Sequence, residues 1–490
     1  MNTFAKDLEK STSFTFTENG AVCYETTTNG LVDLFGVIGA LRDSDKYRKY
    51  KLFENAIAEN KELATKILFY GRDIREGLGE RDTFRDLLAY AADRYPEIVI
   101  PNLPLVGFYG RFDDLYCLIG TKCEADMWSV MKDQFKKDLE NMRANKPCSL
   151  LAKWIKTPDA SSKTTRNLGI LTSRKLGYRN VAEFKKDLKA LRKYLDIVEI
   201  KVSANSIETI NYETVPANAM TKYRKIFSEK DAERFQQYIE DVIAGKKEIK
   251  AGTLYPYNIV QKVFEGEDNA VLEAQWKALP NYVNDGDNIL VISDVSLSMT
   301  TCNCIPLYTS IGLGLYFAER SKGPFHNYFM TFSANPKLQK VLGKTLYEKV
   351  RNMSHADWGC NTNLDKAFNV ILNTAVQNNT PANEIPKALV IISDMQIDCA
   401  FSTNFDTFQD RWTRKFEEAG YTIPNVIYWN VNSTSNAFHS DIDRKGVQYL
   451  SGHSVNTFKT LLNGLNKTPV EVMLETILSE RYDAITVKGE

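Results

Sequence analysis

The stretch NILVISDVSLSMT, residues 288–300, joins an apolar run to three oxygen-bearing side chains at alternate positions. The apolar run predicts a buried strand, and Asp294, Ser296 and Ser298 follow it directly. A strand that ends in a carboxylate and two hydroxyls is typical of a ligand-binding loop at the edge of a sheet.

A second stretch, ALVIISDMQID at residues 388–398, repeats this arrangement and places Asp394 after its own apolar run. Further apolar runs alternate with helical patterns, which predicts a mostly parallel sheet covered by helices on both faces. The C-terminal part is therefore predicted to be a doubly wound α/β domain. The predicted strands lie at 289–293, 328–333, 388–393 and 425–429, and the predicted helices near 307–320, 363–377 and 404–419.

Carboxylate and hydroxyl oxygens from separate loops can surround one Mg²⁺ ion, which prefers six oxygen ligands. A third loop, DWGCNTNLDKAF at residues 357–368, offers a threonine ahead of a predicted helix. These residues predict a site for Mg²⁺ or another divalent cation, although they also fit ordinary caps of loops and helices. Two aspartates at most offset the ion, so it would attract a carboxylate or phosphate from a partner. The predicted ligands are Asp294, Ser296, Ser298, Thr362 and Asp394.

The D-x-S-x-S motif with a loop threonine and a later strand-end aspartate resembles the metal-ion-dependent adhesion site of von Willebrand factor A domains. The resemblance implies a Rossmann-like von Willebrand A domain over residues 288–490, with these five residues as ligands. Leu297 stands where that family often has glycine. A haloacid-dehalogenase-like phosphatase would need an aspartate at the position of Ser296, and no glycine-rich nucleotide fingerprint follows Asp294. Since no general base is evident beside the site, we expect no enzymatic activity.

Residues 30–265 have apolar residues at the three- and four-residue spacing of helices. The sequence ERDTFRDLLAYAADRY, for example, places Phe84, Leu87, Leu88 and Ala91 on one face. This region is predicted to be an all-α domain of irregular, HEAT-like helical repeats. Residues 1–29 are predicted to be an N-terminal extension, and residues 266–287, which are acidic and contain helix breakers, a linker.

The formal net charge is zero, which excludes a uniformly basic surface for nucleic acid. Between Lys153 and Lys193, however, twelve basic residues stand against three acidic ones, a local net charge of +9. The aromatic residues Trp154, Tyr178, Phe184 and Tyr194 are interleaved with them. This composition suits single-stranded RNA, and it also fits a solvated helix face. The candidate RNA-binding residues are Lys153, Lys163, Arg166, Arg174, Lys175 and Arg179.

A helical region followed by an A domain resembles the TROVE-module proteins, the family of the Ro autoantigen. That resemblance implies a ribonucleoprotein scaffold for small non-coding or misfolded RNA. Strings such as GRDIREGLGERDTF, NYETVPANAM, DWGCNTN and TPVEVMLE also resemble an uncharacterised domain-of-unknown-function family of plants, fungi, large DNA viruses and phages, over about residues 30–485.

Two other functions fit the same features. The protein could be an assembly factor whose A domain docks an acidic residue of a partner protein without nucleic acid. A weaker alternative is an accessory subunit of a motor ATPase, since A domains also occur there.

The N-terminal sequence MNTFAKDLEKSTSF lacks the basic start and apolar core of a secretory signal. A run of about 18 apolar residues, which a membrane span requires, does not occur. The protein is therefore expected to be cytoplasmic, with no membrane partner.

Overall fold

The computed structural model describes residues 12–283, 288–331, 336–355, 363–398 and 406–488. The described chain begins with an antiparallel hairpin of strands β1 (Phe14–Phe16) and β2 (Val22–Tyr24). The hairpin lies within the segment predicted to be an N-terminal extension.

Helices joined by short turns make up most of residues 30–277. Asn60 shows how they are delimited, because it ends one helix and its side chain accepts a hydrogen bond from Leu63 N at 2.9 Å in the first turn of the next. The helices are Gly30–Val37, Lys46–Glu59, Lys61–Arg72, Asp82–Arg94, Pro96–Val99, Val106–Tyr109, Glu124–Arg143, Leu151–Trp154, Lys163–Lys175, Val181–Tyr194, Val198–Ser203, Ala217–Lys230, Ala232–Ile243, Pro256–Phe264 and Ala270–Lys277.

The predicted apolar face of the helix Asp82–Arg94 is confirmed. Phe84, Leu87, Leu88 and Ala91 are all buried on it. No helix in the described ranges has both the length and the apolar character that crossing a membrane would need.

The stretch predicted to be a linker, residues 266–287, contains a packed helix. Asn269 caps the helix Ala270–Lys277 by accepting from Leu272 N at 3.1 Å. Leu272 and Trp276 are buried, whereas Glu273, the acidic residue of this helix, is partly exposed. The helical region therefore continues to Lys277.

The C-terminal part is a six-stranded mixed sheet with the spatial order β5-β4-β3-β6-β7-β8. Only β5 is antiparallel to its neighbour. Every residue of β3, β6 and β8 is buried, so both faces of the sheet are covered. The strands are β3 (Ile289–Ser293), β4 (Tyr328–Thr331), β5 (Leu338–Lys340), β6 (Ala388–Ser393), β7 (Asn425–Asn430) and β8 (Val447–Ser451). The helices of this part are Ile305–Arg320, Leu346–Ser354, Leu364–Gln377, Phe408–Glu418, Thr457–Asn463 and Pro469–Ile477.

The strand order reverses between β3 and β6. The chain leaves β3 towards β4 on one side of the sheet and returns to β6 on the other side. In doubly wound sheets the crevice at this switch point, outside the carboxyl ends of the two strands, is the usual ligand site. Asp294 follows β3 and Asp394 follows β6, so both lie at this crevice.

The helical region and the C-terminal part are joined by contacts from segments near both ends of the described chain. The helix Gly30–Val37 packs on β8, and the backbone just beyond it approaches Ser451 so closely that a Cβ on Gly39 would lie 2.7 Å from the Ser451 carbonyl. Near the C-terminal end of the described chain, Arg481 forms an ion pair with Asp73 of the helical region at 2.7 Å. One hydrophobic core therefore runs through both parts, whereas a second, smaller core lies within residues 198–274.

Candidate functional site

The two loop aspartates lie side by side at the switch point. β3 and β6 pair in parallel, and the backbone N–H of Asp294 continues the pairing by donating to Ile392 O at 2.9 Å. Both carboxylates are almost completely enclosed, with exposures of 0% for Asp294 and 3% for Asp394. The parallel register thus brings together two aspartates that are 100 positions apart in the sequence.

One hydroxyl group connects the two carboxylates. Ser393 Oγ donates to Asp294 Oδ2 at 2.6 Å and lies 3.5 Å from Asp394 Oδ1. The Ser393 hydroxyl itself accepts from Met395 N at 3.0 Å, which fixes its position. Asp294 and Asp394 are therefore close enough for their negative charges to repel each other.

The serines of the first loop complete the cluster. Ser296 N donates to Asp294 Oδ1 at 2.9 Å, and Ser296 Oγ lies 3.0 Å from Ser298 Oγ. The Ser298 side chain is also close enough to Asp394 to lower the pKa of its carboxyl group, against the larger effect of burial. Of the five predicted metal ligands, these four are brought together by the fold.

Thr362, the fifth predicted ligand, lies outside the described residues, and its role stays a prediction. The helix that follows it is present and begins at Leu364. Asn363 caps this helix by accepting from Lys366 N at 3.0 Å.

Leu297 stands where von Willebrand A domains often have glycine, and the loop accommodates its side chain. It begins a short 3-10 turn, Leu297–Thr300, and it is not one of the residues with a positive φ angle. Its side chain is 75% exposed and therefore points away from the ligand oxygens.

The electrostatics of the cluster favour a cation. Burial raises the pKa of Asp294, and the charge of Asp394 raises it further. Burial likewise raises the pKa of Asp394. Within the described ranges neither carboxylate forms an ion pair with lysine or arginine, so two negative charges share a buried site without a positive partner.

The donor set consists of oxygen atoms alone. A cluster of three or more histidine, cysteine, aspartate or glutamate side chains able to hold a metal is not found among the residues that the structure describes. Two carboxylates and two hydroxyls instead match the hard oxygen ligands that Mg²⁺ prefers, and they do not match the nitrogen and sulfur ligands of zinc sites.

Three residues at this site were not predicted from the sequence: Ser393, Gln396 and Glu18. Ser393 could have been found, since both stretches contain Ile-Ser-Asp at the strand end. Gln396, whose backbone N–H donates to Asp394 Oδ1 at 3.2 Å, and Glu18, from the N-terminal hairpin, carry no such signal.

The predicted basic residues separate into two groups. Lys163, Arg166 and Arg174 are exposed and, by their spacing, share one face of the helix Lys163–Lys175. Arg166 is held in place by donating to Ala160 O at 3.0 Å and to Ser161 O at 2.9 Å. This face forms an outward-pointing row of positive charge.

Of the other three basic residues, Lys153 and Lys175 form ion pairs, and Arg179 is exposed. Lys175 is exposed but pairs with Glu124 at 3.2 Å, and Lys153 pairs with Glu199 at 3.5 Å with only 18% of its side chain exposed. Arg179 is exposed in the turn before the helix Val181–Tyr194.

The interleaved aromatic residues do not form an exposed stacking surface. Phe184 is fully buried, and Tyr178 packs edge-on against it at 5.4 Å while donating to Asp187 Oδ2 at 2.6 Å. Trp154 is half-buried, and the Arg111 guanidinium covers its ring at 3.7 Å. The interpretation as a partner for unstacked bases is therefore corrected for Phe184, whereas Trp154, Tyr178 and Tyr194 are half-buried.

Comparisons with known proteins identify families whose function is not assigned. A family model described as "Domain of unknown function (DUF2828)" matches residues 17–110 and 125–288, and one described as "Domain of unknown function (DUF7788)" matches residues 288–484. Uncharacterized protein L728 of Acanthamoeba polyphaga mimivirus is 28% identical, over 98% of this chain and 90% of its own length. Among solved structures, the Ro (RSR) protein of Deinococcus radiodurans is similar at 14% identity with a TM-score of 0.47, over 93% of this chain and 100% of that chain.

Proposed function

The chain belongs to the DUF2828 family, and for this member we propose a binding function without catalysis. A helical scaffold holds RNA, and a C-terminal von Willebrand A-like domain binds an acidic ligand through a divalent cation. The single observation that carries the proposal is the cluster at the switch point, where Asp294, Ser296, Ser298 and Asp394 meet without a positive partner among the described residues.

These four residues would hold Mg²⁺, with Thr362 as a further predicted ligand. The ion would offset the repulsion between two buried carboxylates, which the fold otherwise keeps together at a cost in stability. When bound, Mg²⁺ supplies an electrophilic position for a carboxylate or phosphate oxygen of a partner. The two buried carboxylates would position the ion.

The strand order supports the A-domain interpretation. Counted from β3, the order is 3-2-1-4-5-6, the doubly wound arrangement, with an antiparallel edge strand. The D-x-S-x-S motif begins directly after the first of these strands, and Asp394 directly follows the fourth.

Binding without turnover is supported by the surroundings of the two aspartates. Among the described residues, no histidine hydrogen bonds with Asp294 or Asp394. His439 and His453 are buried, and burial lowers the pKa of both. A general base must take up a proton, and a lowered pKa makes both side chains poor candidates for that role.

RNA binding is supported by the exposed row of Lys163, Arg166 and Arg174. Because Phe184 is buried and the Trp154 ring is covered by Arg111, the proposed contact is with the phosphate backbone and not with stacked bases. Such binding depends little on sequence and falls steeply with salt. An assembly factor that uses the same metal site would bind labelled RNA weakly or with little dependence on salt, and this difference separates the two functions.

Mg²⁺ is expected to raise the melting temperature of the wild-type protein by roughly 3 °C when its concentration is about 100 times the dissociation constant. Asp294→Asn should abolish this rise. In buffer without divalent cations, Asp294→Asn should melt at the same temperature as the wild type or higher, because the substitution removes one of two adjacent buried charges. Thermal melts in EDTA and in Mg²⁺ measure both effects.

Asp443→Asn is a matched control, since Asp443 is an exposed aspartate of the same domain. It should keep the full Mg²⁺ response. An equal response of wild type and Asp294→Asn to Mg²⁺ would show that the cluster binds no cation, and the proposal would then be rejected.

A further inference from the structure

The turn of the N-terminal hairpin is anchored to the loop that carries Asp394. Thr17 Oγ1 donates to Ile397 O at 2.7 Å, and Asn19 Nδ2 donates to Gln396 O at 2.7 Å. Gly20 forms an isolated antiparallel bridge with Asp398. The first described residues of the chain are thus fixed beside the candidate metal centre.

Gln396 connects this turn to the metal centre itself. Its backbone N–H donates to Asp394 Oδ1 at 3.2 Å, and its side-chain Oε1 accepts from Glu18 N at 2.7 Å. Its side-chain amide donates to Ser435 Oγ at 2.9 Å, which fixes the orientation of the amide. A short chain of hydrogen bonds therefore joins Glu18 to Asp394.

The Glu18 carboxylate is held in place by a hydroxyl group. Thr434 Oγ1 donates to Glu18 Oε1 at 3.0 Å, and no lysine or arginine in the described ranges pairs with Glu18. Its negative charge reaches Asp394, whose pKa is raised by burial and further by Glu18. Glu18, Asp294 and Asp394 do not form a cluster that could hold a metal directly. Glu18 therefore acts on the centre through its field.

We propose that Glu18 is a specificity-determining residue of the metal centre. Its charge strengthens the binding of a divalent cation and weakens the binding of an anionic ligand to that cation. This inference rests on the proposed function, because it assumes that the centre binds a cation. The two effects have opposite signs for one physical reason: a fixed negative charge attracts the ion and repels the ligand.

The expected size follows from Coulomb's law. For an exposed unit charge about 10 Å from a divalent ion in water, removal of the charge changes the dissociation constant roughly fourfold. Glu18→Gln removes one unit of charge and Glu18→Lys changes it by two. The Mg²⁺ dissociation constant should therefore rise about fourfold and about sixteenfold, respectively.

The experiment titrates Mg²⁺ into the full-length wild type, Glu18→Gln, Glu18→Lys and Glu25→Gln, in about 20 mM and about 500 mM salt. Glu25 is an exposed glutamate next to the same hairpin and serves as the matched control. At saturating Mg²⁺, acetate is then titrated as the anionic probe, and its affinity should rise about twofold in Glu18→Gln and about fourfold in Glu18→Lys. The differences should shrink in high salt, since screening weakens interactions between exposed charges.

A merely structural role for Glu18 would give similar losses in both Glu18 variants, without dependence on salt and without tighter acetate binding. That result, or Mg²⁺ affinities equal to that of Glu25→Gln, would overturn the inference while leaving the metal site intact. If instead the wild type itself fails to bind Mg²⁺, the proposed function fails with it.

Discussion

Replacing Lys163, Arg166 and Arg174 together by glutamate is expected to weaken the binding of labelled single-stranded RNA about 100-fold in about 0.1 M salt. The three side chains form one exposed row on the helix Lys163–Lys175. Each phosphate that such a side chain neutralises releases a counterion, and reversal of the charge adds repulsion. The slope of log affinity against log salt should also fall by about 2, because about 0.7 is lost for each contact. Electrophoretic mobility shifts over a range of salt concentrations measure both quantities.

A variant with the same change in net charge tests whether the position of the row matters. Lys222, Lys225 and Lys230 are exposed lysines on another helix, Ala217–Lys230. Their replacement by glutamate should reduce RNA affinity by less than about threefold, since distant exposed charges are screened. If the two triple variants lose RNA affinity to the same extent, RNA binding follows net charge alone. If the wild type binds no RNA, the assembly function takes its place.

Lys153 provides an internal comparison within the basic segment. Because it is largely enclosed and paired with Glu199, its replacement should affect stability more than RNA binding. Lys153 is therefore left out of the proposed RNA surface, which is the outer face of the helix Lys163–Lys175.

The central strands of the sheet were predictable because their sequences are continuous and apolar. β3 and β6 occupy the predicted residues 289–293 and 388–393. β8 was missed for a physical reason: its sequence VQYLS contains a glutamine that is fully buried. Gln448 Nε2 donates to Leu461 O at 3.1 Å, and this bond satisfies the amide nitrogen of the residue that breaks the apolar pattern.

The residues of the candidate site also differ in whether a sequence pattern could predict them. Asp294 and Asp394 could be predicted to meet, because each follows a strand and parallel strands end at one edge. Glu18 could not, since its hydrogen bond to Gln396 spans 378 positions and neither residue belongs to a recognisable pattern. Local sequence likewise does not show that the helix Gly30–Val37 covers β8.

For Phe184, an aromatic residue of the basic segment, the interpretation from composition was wrong. Phe184, Leu188 and Leu191 recur at helical spacing and are the buried face of the helix Val181–Tyr194. That spacing was visible in the sequence, and it should have outweighed composition as evidence for the role of Phe184.

The second large effect is expected in the helical region, where Asp114→Ala should lower the free energy of unfolding by about 3–5 kcal/mol. Asp114 is fully buried and accepts from Arg72 Nε at 2.8 Å, Arg85 Nε at 2.7 Å and Arg111 N at 2.9 Å. Arg72 is itself only 2% exposed, so the substitution leaves its charge buried and unpaired. The approach is so close that a Cβ on Gly110 would lie 2.6 Å from both Arg72 Nε and Asp114 Oδ2. Urea denaturation followed by circular dichroism measures the loss.

Asp159→Ala separates the effect of burial from that of pairing. Asp159 forms an ion pair with Lys185 at 2.9 Å, close to the distance between Arg72 and Asp114, but both side chains are largely exposed. Its loss should cost less than about 1 kcal/mol, since water already solvates both charges.

Arg72→Met combined with Asp114→Leu should recover part of the stability lost in Asp114→Leu alone, because the double variant leaves no charge at the position of Arg72. Equal losses for the single and double variants would mean that the unpaired arginine is not the cause, and that packing around Asp114 is.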